Sequence, residues 1–127
     1  MEINEISFSG QPPVDSYGPG FFRVSDKVLK GPLFLTLKGS INWAGLEDLS
    51  PIIESKDDYD VIFIGMGKEI SPLPKVITNK LEEAGVPYEL MNSPSACRTY
   101  NVLLSEDRRV GLAVLPCLLY TSPSPRD

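Results

Sequence analysis

The chain of 127 residues contains no histidine. Histidine is the commonest general base and the commonest metal ligand in proteins, so its absence excludes Ser-His-Asp and Cys-His catalysis within this chain. The sequence has two cysteines, Cys97 and Cys117. They match neither a disulfide framework nor the ligand spacing of a zinc site, and they favour a reducing compartment. We therefore expect neither a metal nor another cofactor, and no enzymatic activity.

Long apolar runs and clustered basic residues are also missing. No run approaches the roughly 20 apolar residues that span a bilayer, and the first ten residues are too acidic and polar for a signal or transit peptide. The net charge is −5 and the pI is near 4.7, whereas a nucleic-acid-binding surface needs clustered lysine and arginine. We expect a soluble, intracellular protein that does not bind nucleic acid.

Two apolar runs predict strands that are covered on both faces. Leu33–Leu37 and Val61–Ile64 offer almost no polar face. The second run leads through a glycine turn into a helix predicted at Leu73–Ala84, and then into a strand predicted at Val86–Met91. A strand, a helix and a strand within about 30 residues form a βαβ unit, whose two strands pair in parallel.

The rest of the chain predicts a hairpin, further helices and a last strand. Phe21–Val24 and Lys27–Leu29 flank the turn Ser25-Asp26 and predict the hairpin. The proline- and glycine-rich stretch Gln11–Gly20 predicts a surface loop, or a loop laid over a site with Tyr17 as its anchor. Further predicted elements are a strand at Glu2–Phe8, a helix from Pro51 with Ser50 as N-cap, a helix at Ala96–Leu104 capped by Ser93 or Ser95, and a strand at Arg109–Leu115.

The carboxyl end differs in composition from the rest of the chain. Residues 118–127, LLYTSPSPRD, are low in complexity and interrupted by proline. We expect a single α/β domain over residues 1–117, followed by a disordered, non-native tail over residues 118–127.

The turn Gly65–Lys68 is the first candidate for a binding site. A dinucleotide fingerprint needs a third glycine three residues after the second, and that position is Ile70. A phosphate-binding P-loop needs Ser or Thr after its lysine, but Glu69 follows here. The structural interpretation is that two glycines let the backbone leave a buried strand sharply. We favour the structural interpretation.

The polar segment Arg98–Asn101 is the second candidate. A helix amino end with an arginine can bind an anion. The structural alternative, which we favour, is that Arg98 pairs with an internal carboxylate while Tyr100 and Asn101 hold neighbouring loops. Cys97 lies beside an arginine near a helix start, which can lower the pKa of a thiol. Without a histidine partner, we expect Cys97 to be a small, partly buried side chain.

Three segments together resemble one protein family. Asp60–Gly67 (DVIFIGMG), followed by Pro72–Pro74, resembles the strand and glycine turn of the Mth-like domains. Ala96–Leu104 (ACRTYNVLL) resembles their most recognisable segment, and Arg108–Leu115 (RRVGLAVL) their closing strand. This family of unknown biochemical activity has archaeal and bacterial members and includes a mitochondrial assembly factor for respiratory complex I. Its turn usually reads Gly-Thr-Gly, so Met66 is a departure that removes a hydroxyl group.

The resemblance implies a three-layer α/β fold, with a mixed central β-sheet flanked by helices and an additional β-hairpin layer. It also implies a non-enzymatic protein-interaction domain that assists assembly of respiratory complex I (NADH:quinone oxidoreductase), with assembly intermediates as partners. Because no presequence is visible at the amino terminus, the resemblance implies a cytoplasmic bacterial protein and disfavours a mitochondrial matrix protein.

The alternative function is a small-molecule or anion-binding domain, or an enzyme of unassigned class. In parallel βαβ units, ligands bind beyond the carboxyl ends of the strands, which is where the glycine turn is expected. The candidate rim for a ligand or a partner comprises Gly65, Met66, Gly67, Lys68, Arg98, Thr99, Tyr100 and Asn101.

Overall fold

The structure, a computed structural model, describes residues 11–69 and 72–117. The predicted strand at Glu2–Phe8 and the tail at 118–127 lie outside these residues. Within the described ranges, the chain forms two sheets, three α-helices and one 3₁₀ turn. In chain order the elements are β1 (Ser16–Gly18), β2 (Phe21–Val24), β3 (Lys27–Lys30), β4 (Leu33–Thr36), β5 (Gly39–Ile41), α1 (Ser50–Glu54), the 3₁₀ turn (Lys56–Asp58), β6 (Val61–Gly65), α2 (Lys75–Glu83), β7 (Tyr88–Met91), α3 (Ser93–Ser105) and β8 (Val110–Val114).

The larger sheet has five strands in the order β5-β4-β8-β6-β7. Its middle strand, β8, pairs antiparallel with β4 and parallel with β6. The parallel pairing of β6 with β7, which flank α2, confirms the predicted βαβ unit. Every residue of β4 is buried, and so is every residue of β6 except the half-buried Val61, as the absence of a polar face in these two runs indicated. Strand β4 ends at Thr36, and Leu37, which was predicted to belong to it, is exposed. The central strand β8 is also fully buried. The sheet is therefore mixed, as predicted.

Alternation along β6 divides the core between the two faces of this sheet. Ile62 and Ile64 belong to one apolar cluster, which they share with Ile52 of α1 and Leu81 of α2. Phe63 points to the other face, into a cluster with residues of α3 and of the smaller sheet. Burying one such side chain contributes about 1.5–3 kcal/mol. The two clusters hold α1 and α2 on one face of the sheet and α3 on the other.

The smaller sheet is the additional layer implied by the family resemblance. It has the order β1-β2-β3, and β2 and β3 form the predicted hairpin. Ser25 and Asp26 both have positive φ, 53° and 66°, as a tight two-residue hairpin turn requires. Strand β1 lies in the stretch predicted to be irregular, so that prediction is wrong for Ser16–Gly18. Tyr17 is 42% exposed and does not anchor the segment.

The helix starts differ from those predicted. Ser50 is the first residue of α1, with Leu49 in the N-cap position and no side-chain cap, so the predicted Ser50 cap is wrong. Pro74 occupies the N-cap position of α2, so the helix begins at Lys75, two residues later than predicted. It ends at Glu83, one residue before the predicted end at Ala84, and Gly85 just beyond has φ +75°, the conformation that commonly terminates a helix. None of the helices in the described ranges is long and apolar enough to cross a membrane.

Helix α3 begins at Ser93, three residues earlier than predicted. Asn92 is its N-cap, and the Asn92 Oδ1 atom accepts a hydrogen bond of 2.8 Å from the Ser95 amide. Asparagine is among the strongest N-cap residues. The proposed caps Ser93 and Ser95 are therefore wrong, and Pro94 is tolerated because a first-turn amide needs no intrahelical partner.

Gly65, the last residue of β6, allows a close approach that a larger residue would block. A Cβ atom built at this position lies 2.6 Å from Val114 Cγ1 and 2.8 Å from the backbone Cα of Ser93. The φ of Gly65 is not positive, so alanine would introduce no backbone strain there. Because alanine restricts the unfolded chain more than glycine does, this effect alone would raise the free energy of unfolding by about 0.4–1 kcal/mol. We expect Gly65→Ala instead to lower the free energy of unfolding by about 1–3 kcal/mol, the cost of an overpacked core. Urea denaturation measures this; an unchanged or higher stability contradicts the packing described.

Candidate functional site

The glycine turn lies where three parallel strands end. The Leu115 amide, just after β8, donates a hydrogen bond of 3.0 Å to the Gly65 carbonyl. The Met66 amide donates one of 2.9 Å to the Met91 carbonyl at the end of β7. Gly67 has φ +93°, a conformation in which glycine carries no steric penalty. The turn Gly65–Lys68 is therefore hydrogen-bonded to the ends of β7 and β8. Lys68 is its exposed residue.

Ser93, the first residue of α3, completes this attachment. Its hydroxyl accepts a hydrogen bond of 2.8 Å from the Gly67 amide and donates one of 2.5 Å to the Leu115 carbonyl. The Ser93 amide donates a third, of 2.7 Å, to the Gly67 carbonyl. Ser93 is 1% exposed. We call this set of contacts among Gly65, Gly67, Ser93 and Leu115 the Ser93 junction.

The first amides of α3 are all used inside the chain. Ser93 donates to Gly67, Ser95 donates to the Asn92 side chain, and Ala96 donates to the Asn92 carbonyl at 2.9 Å. Pro94 has no amide hydrogen. Anions bind at helix starts through free N–H groups. Here an anion would have to rely on side chains such as Lys68 and Arg98.

Arg98 projects from α3 towards solvent. One of its guanidinium nitrogens donates a hydrogen bond of 3.2 Å to Ser95 Oγ. No carboxylate forms an ion pair with Arg98 among the residues that the structure describes. The predicted pairing of Arg98 with an internal carboxylate is therefore not found in residues 11–69 and 72–117, where the arginine lies on the exposed side of the helix. The adjacent Thr99 is half-buried.

Tyr100 and Asn101 hold the segment that precedes the small sheet. The buried Tyr100 hydroxyl donates a hydrogen bond of 2.6 Å to the Pro12 carbonyl, and burial raises the pKa of Tyr100. The Asn101 amide group binds both backbone groups of Val14: Oδ1 accepts from its N–H and Nδ2 donates to its C=O, each at 2.9 Å. The sequence-based expectation that these two side chains hold a neighbouring loop is confirmed.

Gln11 attaches the amino end of this segment, which precedes the small sheet, to the large sheet. Its side-chain amide is buried and donates a hydrogen bond of 2.5 Å to the carbonyl of Val110 at the start of β8. Sequence analysis missed this contact, and it also missed the role of Ser93. Both are long-range contacts, 99 residues apart for Gln11 and 26 for Ser93, and no local pattern encodes them.

Cys97 is enclosed by the core between α3 and the sheet. It is 2% exposed, and burial, with a smaller contribution from Cys117, raises the pKa of its thiol to about 12, against the lowering effect of Arg98. The thiolate is the reactive form of cysteine, so this thiol is unreactive near neutral pH. The expectation of a small buried side chain is confirmed.

The structure thus separates the two halves of the candidate rim, Gly65–Lys68 and Arg98–Asn101, along the length of α3. The glycine turn lies against the first residue of the helix, through Ser93. Tyr100 and Asn101 lie two turns further along and face the segment Pro12–Val14. Of the rim residues, Lys68 and Arg98 are exposed. Met66 packs against the core cluster that contains α2, so this departure from Gly-Thr-Gly replaces a hydroxyl with an apolar contact.

Comparison with known proteins identifies the family. A family model described as "Protein of unknown function (DUF498/DUF598)" matches residues 14–115. The chain belongs to this family. An uncharacterised relative from Rhodobacter capsulatus is 44% identical over 116 residues, which cover 91% of this chain and 94% of that protein. The DUF498/DUF598 match, together with the Mth938-like domain among the solved structures below, confirms the resemblance to Mth-like domains.

Animal relatives carry a functional name. NADH dehydrogenase (ubiquinone) 1 alpha subcomplex assembly factor 3 of Danio rerio is 26% identical and covers 91% of this chain and 71% of its own length. The Drosophila melanogaster protein of that name is 31% identical over 78% of this chain, and 55% of the fly protein is matched. The human protein is 23% identical, with 60% of its length matched. The chain therefore spans little more than half of the fly and human proteins.

Solved structures share the fold. A Bartonella henselae protein described as an outer membrane protein superposes with a TM-score of 0.74 at 35% identity, covering 86% of this chain and 98% of that one. A Bordetella pertussis protein described as an Mth938-like domain gives a TM-score of 0.68 at 22% identity, with 93% and 94% covered. The three-layer α/β prediction is confirmed.

Replacing Ser93 tests whether the glycine turn is held by its hydroxyl. Ser93→Ala leaves the buried Gly67 amide without an acceptor and the Leu115 carbonyl without this donor. We expect the free energy of unfolding to fall by about 1–3 kcal/mol, the cost of an unsatisfied buried polar group. Ser95→Ala is the matched control, since Ser95 Oγ binds only the exposed Arg98 side chain among the described contacts. Chemical denaturation that gives equal losses for both variants contradicts the Ser93 junction.

Replacing the Asn101 amide by a carboxylate tests the attachment of Val14. In Asn101→Asp, one oxygen still accepts from the Val14 amide, but the Val14 carbonyl loses its donor and faces a negative charge. We expect a loss of about 1–3 kcal/mol at neutral pH, and part of it should be recovered when acid protonates the carboxylate. Asn79→Asp, at an exposed position of α2, is the control. Stability that is the same for both variants contradicts the assignment.

Proposed function

We propose that this chain is a non-enzymatic protein-interaction domain that assists assembly of respiratory complex I in the bacterial cytoplasm. The observation that carries the proposal is the similarity to the assembly factor 3 proteins, which extends over 91% of this chain for the Danio rerio protein. The similarity includes the core of the fold and is not confined to one motif. We assign the activity to one domain over residues 1–117.

The contacts of the candidate rim support an interaction role. The polar groups of Ser93, Tyr100 and Asn101 are engaged by the chain's own backbone. The thiol of Cys97 is buried and protonated at neutral pH. Catalysis requires acid, base or nucleophilic groups that can reach a substrate. The groups that most resemble such a set here stabilise the fold instead.

Anion binding at the rim is the second candidate. Lys68 and Arg98 are exposed cationic side chains that flank the start of α3, beyond the carboxyl ends of β6 and β7. Such a site would depend on these two side chains, because the helix amides are already bonded. A thermal-shift screen of nucleotides and anionic metabolites distinguishes the two candidates. Stabilisation that is lost in Arg98→Ala and retained in Lys75→Ala favours the anion-binding role.

Affinity capture tests the assembly role. The full chain, with an affinity tag, is expressed in a bacterium that contains complex I, and proteins retained from gently solubilised membranes and extract are identified by mass spectrometry. We expect subunits of the NADH:quinone oxidoreductase or of its assembly intermediates to be enriched. Deletion of the corresponding gene should lower the NADH:quinone oxidoreductase activity of the membranes, and expression of this chain should restore it.

The control is an unrelated acidic domain of similar size with the same tag. Absence of any enriched complex I subunit in repeated captures, together with normal membrane activity after deletion, contradicts the proposed function. If the Arg98→Ala variant restores activity as well as the unchanged chain does, anion binding at the rim is not needed for the assembly role.

A further inference from the structure

A groove lies between one outer strand of each sheet. Strand β3 is the outer strand of the small sheet and β5 is the outer strand of the large sheet. Residues from both strands, and from the connection between β3 and β4, line one open cavity of about 480 Å³. A volume of this size falls in the range of known ligand and peptide pockets. The groove is separate from the Ser93 junction.

The backbone of β3 presents unused hydrogen-bonding groups on this side. Val24 and Lys27 flank a two-residue turn and face each other, and in such a hairpin they form the hydrogen-bonded pair. The Gly31 amide bonds the Gly20 carbonyl at 3.0 Å and continues the same alternation. The N–H and C=O groups of Val28 and Lys30 therefore point away from β2, towards the open edge.

The same alternation applies to β5. Thr36 and Gly39 flank the two-residue turn between β4 and β5 and face each other. The backbone groups of Ser40 therefore point away from β4. Within the described ranges, neither β3 nor β5 pairs with a further strand on its outer side. Two unpaired edges thus meet at one groove, and an extended chain laid in it would find hydrogen-bond partners on both.

The side chains of the groove define the chemistry of its occupant. Most are apolar, and Val28 is 48% exposed, a high value for a valine. Lys30 is the one charged side chain among the described lining residues. The chain as a whole has a net charge of −5. The groove is therefore a mixed apolar and polar surface with a local positive charge, on an acidic protein.

We propose that this groove binds an extended segment of a partner protein, apolar at alternate positions and acidic opposite Lys30, which adds a strand to the edge of β3 and lies against β5. The inference rests on the proposed function and names the contact that would serve it. Strand addition draws affinity from backbone hydrogen bonds and specificity from alternate side chains. Both are available at this groove.

A second copy of the chain fits the groove less well. Antiparallel pairing of β3 with its own copy must match the residues whose backbone groups point outward, and the register that pairs Lys30 with Lys30 sets like charges directly opposite, which is destabilising. Lysines on edge strands oppose self-association in this way. Strand β3 carries two lysines and no carboxylate, so an acidic foreign segment can neutralise Lys30 where a second copy of β3 cannot.

Peptide selection tests the proposal. A displayed library of random peptides of about ten residues, enough for one strand, is selected on the full chain. We expect the recovered peptides to be enriched in glutamate or aspartate and in β-branched or aromatic residues. In NMR spectra, one such peptide should shift and protect from exchange the amides of Val28, Lys30 and Ser40. Peptides that protect amides elsewhere, or selection without enrichment, overturn the proposal.

Two pairs of variants separate the backbone and charge contributions. Val28→Pro removes an amide that points outward and leaves the β2–β3 pairing intact, so binding should weaken by at least about tenfold, or 1.4 kcal/mol; Val28→Thr keeps the amide and should bind as the unchanged chain does. Lys30→Glu should weaken binding of the acidic peptide about fivefold, in line with an exposed ion pair. The control Lys75→Glu, on α2, should not. Equal binding by all four overturns the proposal.

The capture experiment distinguishes this inference from the proposed function. Recovery of complex I subunits by the unchanged chain and their loss with Val28→Pro support both. Equal recovery by both chains retains the assembly role and overturns the groove as its contact. Recovery by neither chain, when the selected peptide binds the groove, supports the groove and contradicts the assembly role.

Discussion

The hydroxyl group of Ser93 joins three parts of the protein that are distant in sequence. It accepts a hydrogen bond from the glycine turn after β6, donates one to the residue after β8, and belongs to the first turn of α3. The approach is close enough that Gly65 has no room for a Cβ atom. The position of α3 on the sheet, and through Tyr100 and Asn101 the position of the segment before the small sheet, depend on this contact.

This arrangement changes what the glycine turn implies about function. A strand, two glycines and a lysine suggest a cradle for phosphate, but a cradle needs backbone amides that are free to meet the ligand. Here the Met66 amide binds Met91 and the Gly67 amide binds Ser93. The turn is a junction of the fold. Within residues 11–69 and 72–117, the backbone groups of Val28, Lys30 and Ser40 at the edges of β3 and β5 point outward instead, where an extended partner can reach them.

The elements of the fold were predictable where their determinants are local. The buried strands have sequences without a polar face. Helix α2 ends just before Gly85, whose φ is positive, and the turn Ser25-Asp26 determines the hairpin. The predictions were wrong where a long-range contact determines the local structure. Residues Ser16–Gly18 form a strand because β2 lies beside them, in spite of the surrounding prolines and glycines. Helix α3 begins three residues earlier than predicted, at Ser93, because the side chain of Asn92 caps it. Arg98 lies on the exposed side of this helix, while Ala96, Cys97 and Tyr100 take the buried side.

Hydrogen exchange of the Gly67 amide tests the Ser93 junction most directly. If the turn is held as described, this amide exchanges slowly, through the same opening that exposes amides of the central strand β8, such as Leu112. In Ser93→Ala it should exchange much faster while Leu112 changes only in proportion to the loss of global stability. Exchange of Gly67 in the unchanged protein at the rate of an exposed loop amide would contradict the account, and would return the turn to consideration as a binding site.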